Sequence, residues 1–493
     1  MKWEQLLSPQ RSRGGVGNRY ARSTDLRSEF EKDYHRIIGS ASFRRLQDKT
    51  QVFPLDKSDF IRTRLTHSLE VSSFAKSLGQ NIGENILAYK KDPDFTPRMK
   101  EDICSIVQCA GLIHDIGNPP FGHFGEMAIR EWFERNLDKM MFGGKPVSEV
   151  LTEQMKQDLY HFEGNAQALR LVTKLHYLVD EHGMNLTYAL LNTIIKYPVA
   201  STEVNTASGN IKDKKLGYYY ADREIFQAVQ EATGTRGRRH PLTYILEAAD
   251  DIAYKTADIE DAFVKGFLSY HQLCRELGAL DGRYTAGAVD ERSAADCSDL
   301  RERTGNASYR FDALGKLNEL YERGVKRGEK CPEEYAVKNW IVRVQGFLIS
   351  CATFGFTSHY REIMEGTYGH DLFYGTFAEK LMDLLGDMAY RIVFTSEQIY
   401  KMEVTESVIL NFLMDQFAAA VVRYDNPKEK PDTLDRRLIA LISDNYKNAY
   451  HFQSEGKDEV EKLYLRLLLM TDYICGMTDS YAKRLYQELN AVL

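Results

Sequence analysis

Apolar residues recur every three or four positions along most of the chain, and this spacing predicts α-helices. The clearest helical segments cover residues 59–88, 102–113 and 241–263, and further helical patterns continue from residue 313 to the end. Alternation with a period of two, which predicts strands, is scarce, although 218–220 is a candidate for a short strand. The pattern therefore predicts an all-α protein with at most a short β-hairpin.

Composition divides the chain into four segments. Residues 1–30 are polar and contain several arginines, and a solvated arm is a simpler interpretation of them than an anion-binding arm. Residues 31–277 contain most of the motifs described below and form the predicted catalytic core. Residues 278–312 are polar and are expected to form a loop or insert, whereas 313–493 should form a C-terminal helical region packed on the core.

Charge and cysteine content argue against several classes of protein. The 493 residues are 43% hydrophobic and carry a formal net charge of -7, so no global basic field indicates a nucleic-acid-binding protein. The seven cysteines form no CxxC motif, which suits a reducing cytoplasm and argues against a disulfide framework. The N-terminus lacks the apolar segment of a signal peptide, and we find no run of about twenty apolar residues. We therefore expect a cytoplasmic protein without a membrane span.

The segment 111–126, GLIHDIGNPPFGHFGE, combines glycines and prolines with the ionisable residues His114, Asp115, His123 and Glu126. His114 and Asp115 fall at the C-terminal end of the predicted helix 102–113. Gly117, Pro119 and Pro120 should end this helix. An imidazole and a carboxylate side by side suit a divalent ion of the Mn, Fe, Co, Ni or Zn type, and Mg²⁺ where carboxylate and water dominate. A second His-Asp pair, at 370–371, has no other candidate ligands beside it and carries less weight.

A further histidine, His67, falls in the first turn of the helix that opens with RTRLTHSLEV. Arg62 and Arg64 come just before it, where positive charge gains nothing from the helix dipole. Either these arginines bind an anionic ligand or they form an ordinary surface pair, and the local sequence leaves both interpretations open.

A third predicted helix, which contains EAADDIAY, adds polar side chains at helical spacing. Asp250, Tyr254 and Asp258 are four residues apart and therefore share one face. Asp251 lies about 100° away, where it faces Lys255 four residues later. Asp250 is the better ligand candidate, because the small apolar residues around it argue against a solvated acidic face.

The order H…HD…D along the chain combines these candidates into one site. Two imidazoles and two carboxylates suit one divalent ion with open positions for water or a substrate oxygen. Such an ion lowers the pKa of bound water and polarises a phosphoryl oxygen. The four candidate ligands are His67, His114, Asp115 and Asp250.

Seven motifs follow one another along nearly the whole chain: FRRLQDKTQVFP (43–54), RTRLTHSLEV (62–71), GLIHDIGNPPFGHFGE (111–126), KYP (196–198), KLGYY (215–219), EAADDIAY (247–254) and MTDSYA (477–482). Together they resemble the HD-domain phosphohydrolases, and more narrowly the bacterial deoxyguanosine triphosphate triphosphohydrolases. GNPPFGHFGE together with EAADDIAY is far more specific than a His-Asp pair alone. The resemblance implies an HD-domain helical core with additional helices, and the segment 278–312 matches no motif of the family.

The resemblance implies metal-dependent hydrolysis of a deoxynucleoside triphosphate, with dGTP expected first, to the deoxynucleoside and inorganic triphosphate. The four candidate ligands would hold one ion, Mn²⁺ or Mg²⁺ first, with other transition metals compatible. His123 and Glu126 match the family's catalytic pair. The 5′-alkoxide is a poor leaving group, so His123 oriented by Glu126 suits a general acid, while positioning of the attacking water stays open as its role.

The resemblance also implies contacts with the substrate phosphates. Arg64, Lys196 and Lys215 match phosphate-binding positions, and a triphosphate needs cations beyond the metal. Tyr197 matches a contact with phosphate or sugar.

Three further residues match positions that contact the sugar. Gln51 and Asp258 would hydrogen-bond the 3′-hydroxyl. Tyr254 would pack against C2′ and exclude a 2′-hydroxyl, which implies a preference for deoxynucleotides. The preference for guanine rests on the resemblance alone.

The family implies a homo-oligomer, a hexamer or a tetramer, and a response to nucleotides or single-stranded DNA. One alternative is another HD-domain phosphohydrolase, such as a phosphodiesterase or nucleotidase, or a dNTPase of broader specificity. The reaction products distinguish these hypotheses. Inorganic triphosphate supports the leading hypothesis, whereas pyrophosphate or monophosphate supports another HD-domain phosphohydrolase. An alternative from a different class is a nucleic-acid-binding or regulatory protein with a degenerate HD site, and the intact ligand and catalytic residues argue against it.

Overall fold

Helices dominate the computed structural model, which describes residues 1–13, 25–51, 62–176, 180–284 and 311–491. In chain order the α-helices are Trp3–Leu6, Glu29–Ile38, Ala41–Arg45, Arg64–Asn85, Pro97–Ile113, Gly122–Asn136, Val147–Val150, Glu153–Tyr160, Gly164–Arg170, Tyr188–Ile194, Arg223–Thr233, Pro241–Val264, Tyr270–Tyr284, Ala313–Arg327, Pro332–Ser358, Tyr360–Glu365, Glu379–Ala389, Glu397–Arg423, Thr433–Leu441, Asp444–Ser454, Glu459–Cys475 and Asp479–Leu489. Short π-helical segments occur at Ile86–Lys90, Leu171–Leu175 and Tyr390–Phe394. Short 3-10 segments occur at Leu46–Asp48, Ser201–Glu203, Thr206–Ser208, Ile211–Asp213 and Tyr220–Asp222. The all-α prediction is confirmed.

The chain forms two compact units, each assembled from separate stretches of sequence. The first unit contains Met1–Leu69, Leu112–Thr243 and Lys401–Leu493. The second unit contains Glu70–Gly111 and Tyr244–Tyr400.

Helix Glu459–Cys475 belongs to the core of the first unit. Every residue from Leu463 to Cys475 is buried, so the helix packs against the rest of the unit on all sides, its polar residues Arg466 and Asp472 included. Asp472 on this helix accepts hydrogen bonds from the buried Arg170, at 2.8 Å from Nε and 2.7 Å from Nη2. The pairing compensates two charges that would each be costly to bury alone.

Helix Pro332–Ser358 belongs to the core of the second unit. It begins with proline, which suits the first turn of a helix, and Trp340 on it donates a hydrogen bond to the carbonyl of Ala313 at 2.8 Å. This helix and Ile399–Arg423 are long and apolar enough to cross a membrane, and 56% and 50% of their most apolar windows are buried inside the protein. Buried core helices share these properties, so they are weak evidence for a span. The expected lack of a membrane span stays a prediction.

The N-terminal residues pack into the first unit. Trp3 and Leu6 are fully buried, and Arg11 forms an ion pair with the buried Asp33 at 2.6 Å. The interpretation of residues 1–30 as a solvated arm is therefore wrong for residues 1–13. Residues 14–24 lie outside the described residues.

A two-residue hairpin provides the β-structure of the described residues. Met141–Phe142 pairs antiparallel with Lys145–Pro146, and both intervening glycines have positive φ values, 58° and 80°. The strand considered at 218–220 is wrong. Tyr220 begins a 3-10 turn, and its N–H donates to the Asp158 carboxylate at 2.7 Å rather than to a neighbouring strand.

Two predicted boundaries differ from the structure. Helix Tyr270–Tyr284 continues into the segment 278–312 that was expected to be a loop, and residues 285–310 lie outside the described residues. The helical pattern at 460–489 forms two helices. The first helix ends at Cys475, before Gly476, and the second begins at Asp479 with Thr478 as its N-cap.

Candidate active site

Three predicted metal ligands lie together in the first unit. One ligand atom each from His67, His114 and Asp115 falls within 4.8 Å of the other two. His67 lies in the first turn of helix Arg64–Asn85, and the other two follow the end of helix Pro97–Ile113. Both histidines are buried, and their ring centroids are 5.2 Å apart. Two imidazoles and a carboxylate converging at this distance fit a divalent ion.

The Asp115 carboxylate has two further partners. Arg64 pairs with Oδ2, and the Asn118 side-chain amide donates to Oδ1 at 2.8 Å. The Arg64 side chain is only 6% exposed, so the interpretation of this arginine as an ordinary surface residue is wrong. Asn118 was missed in the sequence, although its position three residues after Asp115 allows the contact. Such partners orient a ligating carboxylate.

His123 lies on the first turn of helix Gly122–Asn136, and its Nδ1 is 2.8 Å from Oε2 of Glu126. The imidazole is 69% exposed, whereas Glu126 is buried. His123 is therefore not a packed core residue. An ionised Glu126 accepts the hydrogen bond from Nδ1, which leaves Nε2 available on the exposed side of the ring.

Glu126 is held ionised by its surroundings. Burial alone would raise its pKa, but the hydrogen bond from His123 and the positive charges of Lys215 and Arg130 lower the pKa below its usual value. Its other oxygen, Oε1, accepts a hydrogen bond from the Gly164 N–H at 2.7 Å. A Cβ at position 164 would lie 2.6 Å from this oxygen and closer still to the Asn118 side chain, so only glycine fits there.

Glu163 connects the predicted catalytic pair, His123 and Glu126, to a predicted phosphate-binding residue. Its buried carboxylate pairs with Arg130 at 3.0 Å and with Lys215 at 2.9 Å, while Arg130 also lies 3.6 Å from Glu126. Neither Glu163 nor Arg130 is among the residues predicted from the sequence. Arg130 lies four residues after Glu126, which is a recognisable helical spacing, whereas its contact with Glu163 spans 33 residues and has no local signal.

The segments that contain the other predicted phosphate contacts pack against each other. The Gly217 N–H donates to the Val199 carbonyl at 3.0 Å, and a Cβ at Gly217 would overlap the Tyr197 carbonyl. Lys196 and Lys215 therefore lie on adjoining loops. A cavity of about 660 Å³ opens beside them, and its lining includes Arg130, Glu163, Ser201, Lys214 and Lys215.

The predicted fourth ligand, Asp250, and two of the three predicted sugar contacts, Tyr254 and Asp258, lie in the second unit, on helix Pro241–Val264. Tyr254 and Asp258 are hydrogen-bonded, as their spacing of four residues predicts. Burial raises the pKa of Tyr254, and the interaction with Asp258 raises this pKa further. Burial raises the pKa of Asp251 to about 7, and the charge of Lys255 opposes that rise. The assignment of Asp250 as the fourth ligand stays a prediction, as do the sugar contacts.

Gln51 lies at the end of a described stretch in the first unit, directly after Thr50, which forms an isolated antiparallel bridge with Thr63. The Arg64 N–H donates to the Lys49 carbonyl at 2.8 Å in the same region. Gln51 is thus joined through the backbone to the segment that contains Arg64. Its contact with a sugar stays a prediction.

Comparisons with known proteins agree with this geometry. The HD domain family matches residues 64–186. The chain is 46% identical to a deoxyguanosinetriphosphate triphosphohydrolase-like protein of Listeria innocua over the full length of both proteins. It is 33% identical to the deoxyguanosinetriphosphate triphosphohydrolase of Serratia proteamaculans, over 95% of this chain and 94% of the relative. It is also 33% identical to the enzyme of that name from Yersinia enterocolitica, over 94% of each chain.

Proposed function

Since this chain belongs to the deoxyguanosinetriphosphate triphosphohydrolase family, we propose that it hydrolyses a deoxynucleoside triphosphate, dGTP first, to the deoxynucleoside and inorganic triphosphate. One observation carries the proposal. The donor atoms of His67, His114 and Asp115 converge within 4.8 Å in the same unit as the His123–Glu126 pair.

The metal would be held by His67, His114 and Asp115, with Asp250 as the fourth ligand. We propose Mn²⁺ or Mg²⁺, and other transition ions are compatible with the imidazole donors. When bound, such an ion lowers the pKa of water and polarises a phosphoryl oxygen. Asn118 and Arg64 hold the Asp115 carboxylate in one orientation beside the two imidazoles.

His123 provides the proton-transfer group. Glu126 holds Nδ1 and stabilises the imidazolium, so Nε2 can donate a proton to the departing 5′-oxygen of the nucleoside. Positioning of the attacking water is the alternative role for the same nitrogen. Glu126 contacts His123 rather than the substrate in either case and therefore supports the imidazole.

Positive side chains of the first unit would bind the triphosphate. A nucleoside triphosphate carries about four negative charges near neutral pH and needs several cations. Arg64, Lys196 and Lys215 are the proposed phosphate contacts, and Tyr197 adds a contact on the same loop as Lys196. The cavity beside Lys215 has room for the phosphate chain and contains Arg130 and Lys214 in its lining.

The sugar would be selected by Gln51, Tyr254 and Asp258. Gln51 and Asp258 accept or donate hydrogen bonds at the 3′-hydroxyl, and Tyr254 excludes a 2′-hydroxyl by its position against C2′. The hydrogen bond between Tyr254 and Asp258 supports a shared role, because it fixes the phenol ring beside the carboxylate.

The assembly and location follow the family. We propose a cytoplasmic homo-oligomer, a hexamer or a tetramer, that responds to a nucleotide or to single-stranded DNA. Analytical ultracentrifugation with and without dGTP tests the assembly.

Product analysis tests the proposed activity. The purified protein is incubated with each dNTP and Mn²⁺ or Mg²⁺, and the products are separated by anion-exchange chromatography. We expect deoxyguanosine and inorganic triphosphate from dGTP. His114→Ala should abolish the reaction, whereas His370→Ala, in the second His-Asp pair, is the matched control and should retain it. Release of pyrophosphate or monophosphate would favour another HD-domain phosphohydrolase, and equal turnover of all dNTPs would favour a dNTPase of broader specificity.

A further inference from the structure

The turn that precedes His123 has an unusual backbone conformation. Phe121 and Gly122 both have left-handed φ angles, 65° and 61°. This region is unfavourable for a residue with a side chain, so Phe121 needs support from its surroundings. The turn also lies against Arg64, because a Cβ at Gly122 would overlap the Arg64 guanidinium. The position of the turn thus affects both the catalytic histidine and a proposed phosphate contact.

The support comes from the far end of the chain. The buried Asp479, at the first residue of helix Asp479–Leu489, accepts the Phe121 N–H on Oδ1 at 2.9 Å. Its other oxygen, Oδ2, accepts the N–H and the hydroxyl of Thr50 at 2.9 and 2.7 Å. One carboxylate therefore joins the turn before His123 to the residue that precedes Gln51.

A second connection joins the same three stretches of chain. The buried Lys49 donates to the carbonyl of Asn118 and to the carbonyl of Cys475, both at 2.6 Å. Asn118 in turn donates to Asp115. The segment 475–479 thus holds both the catalytic turn and the partner of a proposed metal ligand.

We infer that Asp479 is a positioning residue that places His123 for proton transfer by holding the Phe121–Gly122 turn. The inference rests on the proposed function. It assigns Asp479 no contact with the substrate, because its oxygens are occupied by donors from Phe121 and Thr50. Its effect on the reaction passes through His123.

Asp479→Asn is the variant that tests the inference. Phe121 and Thr50 donate to different oxygens of Asp479, and in asparagine an NH₂ group replaces one of these oxygens. The remaining oxygen should stay with Thr50, which offers two donors, so the Phe121 N–H loses its acceptor. We expect kcat for dGTP to fall on the order of tenfold to a hundredfold, the usual effect of a small displacement of a reacting group. Asp458→Asn is the matched control. Asp458 accepts two backbone N–H groups at another helix start of the first unit, both on Oδ1, so an asparagine can keep both bonds and this variant should keep the wild-type kcat.

Two further measurements separate positioning from general destabilisation. In a His123→Ala background, Asp479→Asn should lower kcat by less than about twofold more, since the group that it positions is gone. Hydrogen exchange of peptides that cover Phe121 should be faster in Asp479→Asn and unchanged in Asp458→Asn. Thr50→Val removes one hydroxyl donor only and should give a smaller loss of kcat, which keeps the test open if Asp479→Asn folds poorly.

Each outcome decides one point. An Asp479→Asn kcat equal to that of the wild type, or a loss that multiplies fully with that of His123→Ala, overturns the positioning role. Unchanged exchange at Phe121 overturns the hold on the turn, whether or not the protein is active. Wild-type protein that releases no triphosphate from any dNTP refutes the proposed function instead.

Discussion

Removal of the imidazole and removal of its supporting carboxylate should affect rate and stability differently. His123 is 69% exposed and donates a hydrogen bond to the buried Glu126, so His123→Ala removes one partner of Oε2 and leaves Arg130, 3.6 Å away, as its ion-pair partner. Glu126 is buried and also accepts the Gly164 N–H at 2.7 Å. Glu126→Ala would leave that N–H without an acceptor, whereas Glu126→Gln can keep this bond through its amide oxygen.

The magnitudes follow from these contacts. His123→Ala should lower the free energy of unfolding by about 0.5–1.5 kcal/mol, the usual contribution of one hydrogen bond. Its turnover should fall roughly a hundredfold to ten-thousandfold, the range for a positioned acid–base group. Glu126→Ala should lose about 1–3 kcal/mol of stability for the unsatisfied N–H. Its turnover should fall about tenfold to a hundredfold, and Glu126→Gln should show a similar rate loss with little loss of stability.

Single-turnover rates with dGTP, melting temperature and bound metal should be measured on the same preparations. The double variant His123→Ala/Glu126→Gln should be no more than about twofold slower than His123→Ala, because the carboxylate then has no imidazole to orient. Fully multiplicative rate losses would show that Glu126 acts independently of His123. A fall in metal content for His123→Ala would show that this histidine is a ligand, and the assignment of catalytic roles would be wrong.

Three further predictions concern the metal, the sugar and pH. Asp250→Ala should lose bound metal by elemental analysis and Asp251→Ala should retain it, and the opposite result would reverse the assignment of helix faces. Tyr254→Ala should hydrolyse ribo-GTP better relative to dGTP, and unchanged discrimination would count against the steric role of the phenol. Burial lowers the pKa of His240 to about 4, so the folded state favours the neutral ring and stability is lost as pH falls below about 6.5. The total loss by pH 4 is roughly 3 kcal/mol, and urea unfolding of His240→Gln should show a shallower decline than the wild type over this range.

The sequence identifies the three candidate metal ligands and the proposed catalytic pair because their residues are close together in the chain or belong to recognisable motifs. The helix ends at Ile113, just before His114 and Asp115, and Gly117 with Pro119 and Pro120 provides a local signal for the turn that follows. The position of the hairpin also has a local signal, because the Gly143-Gly144 pair favours a two-residue turn between strands. The incorrect strand at 218–220 arose because a short aromatic run does not distinguish a strand from a buried 3-10 turn.

Contacts between distant segments could not be predicted in this way. Arg64 meets Asp115 across 51 residues, and Phe121 meets Asp479 across 358 residues. No periodic pattern in the sequence indicates either contact, since each depends on how whole helices pack. The burial of Arg64, which decides between a surface pair and a site residue, likewise follows from tertiary structure alone.

The Asn118 and Glu126 side chains lie close to the backbone of Gly164, and this limits how the site can be altered by engineering. Its N–H supports Glu126, while the space that a side chain would need is taken by Glu126 and Asn118. Any larger residue would displace the supports of the imidazole and of Asp115 together. A library designed to change substrate preference should therefore keep position 164 fixed and vary the lining of the neighbouring cavity, where Thr202 and Lys214 can change without moving either support.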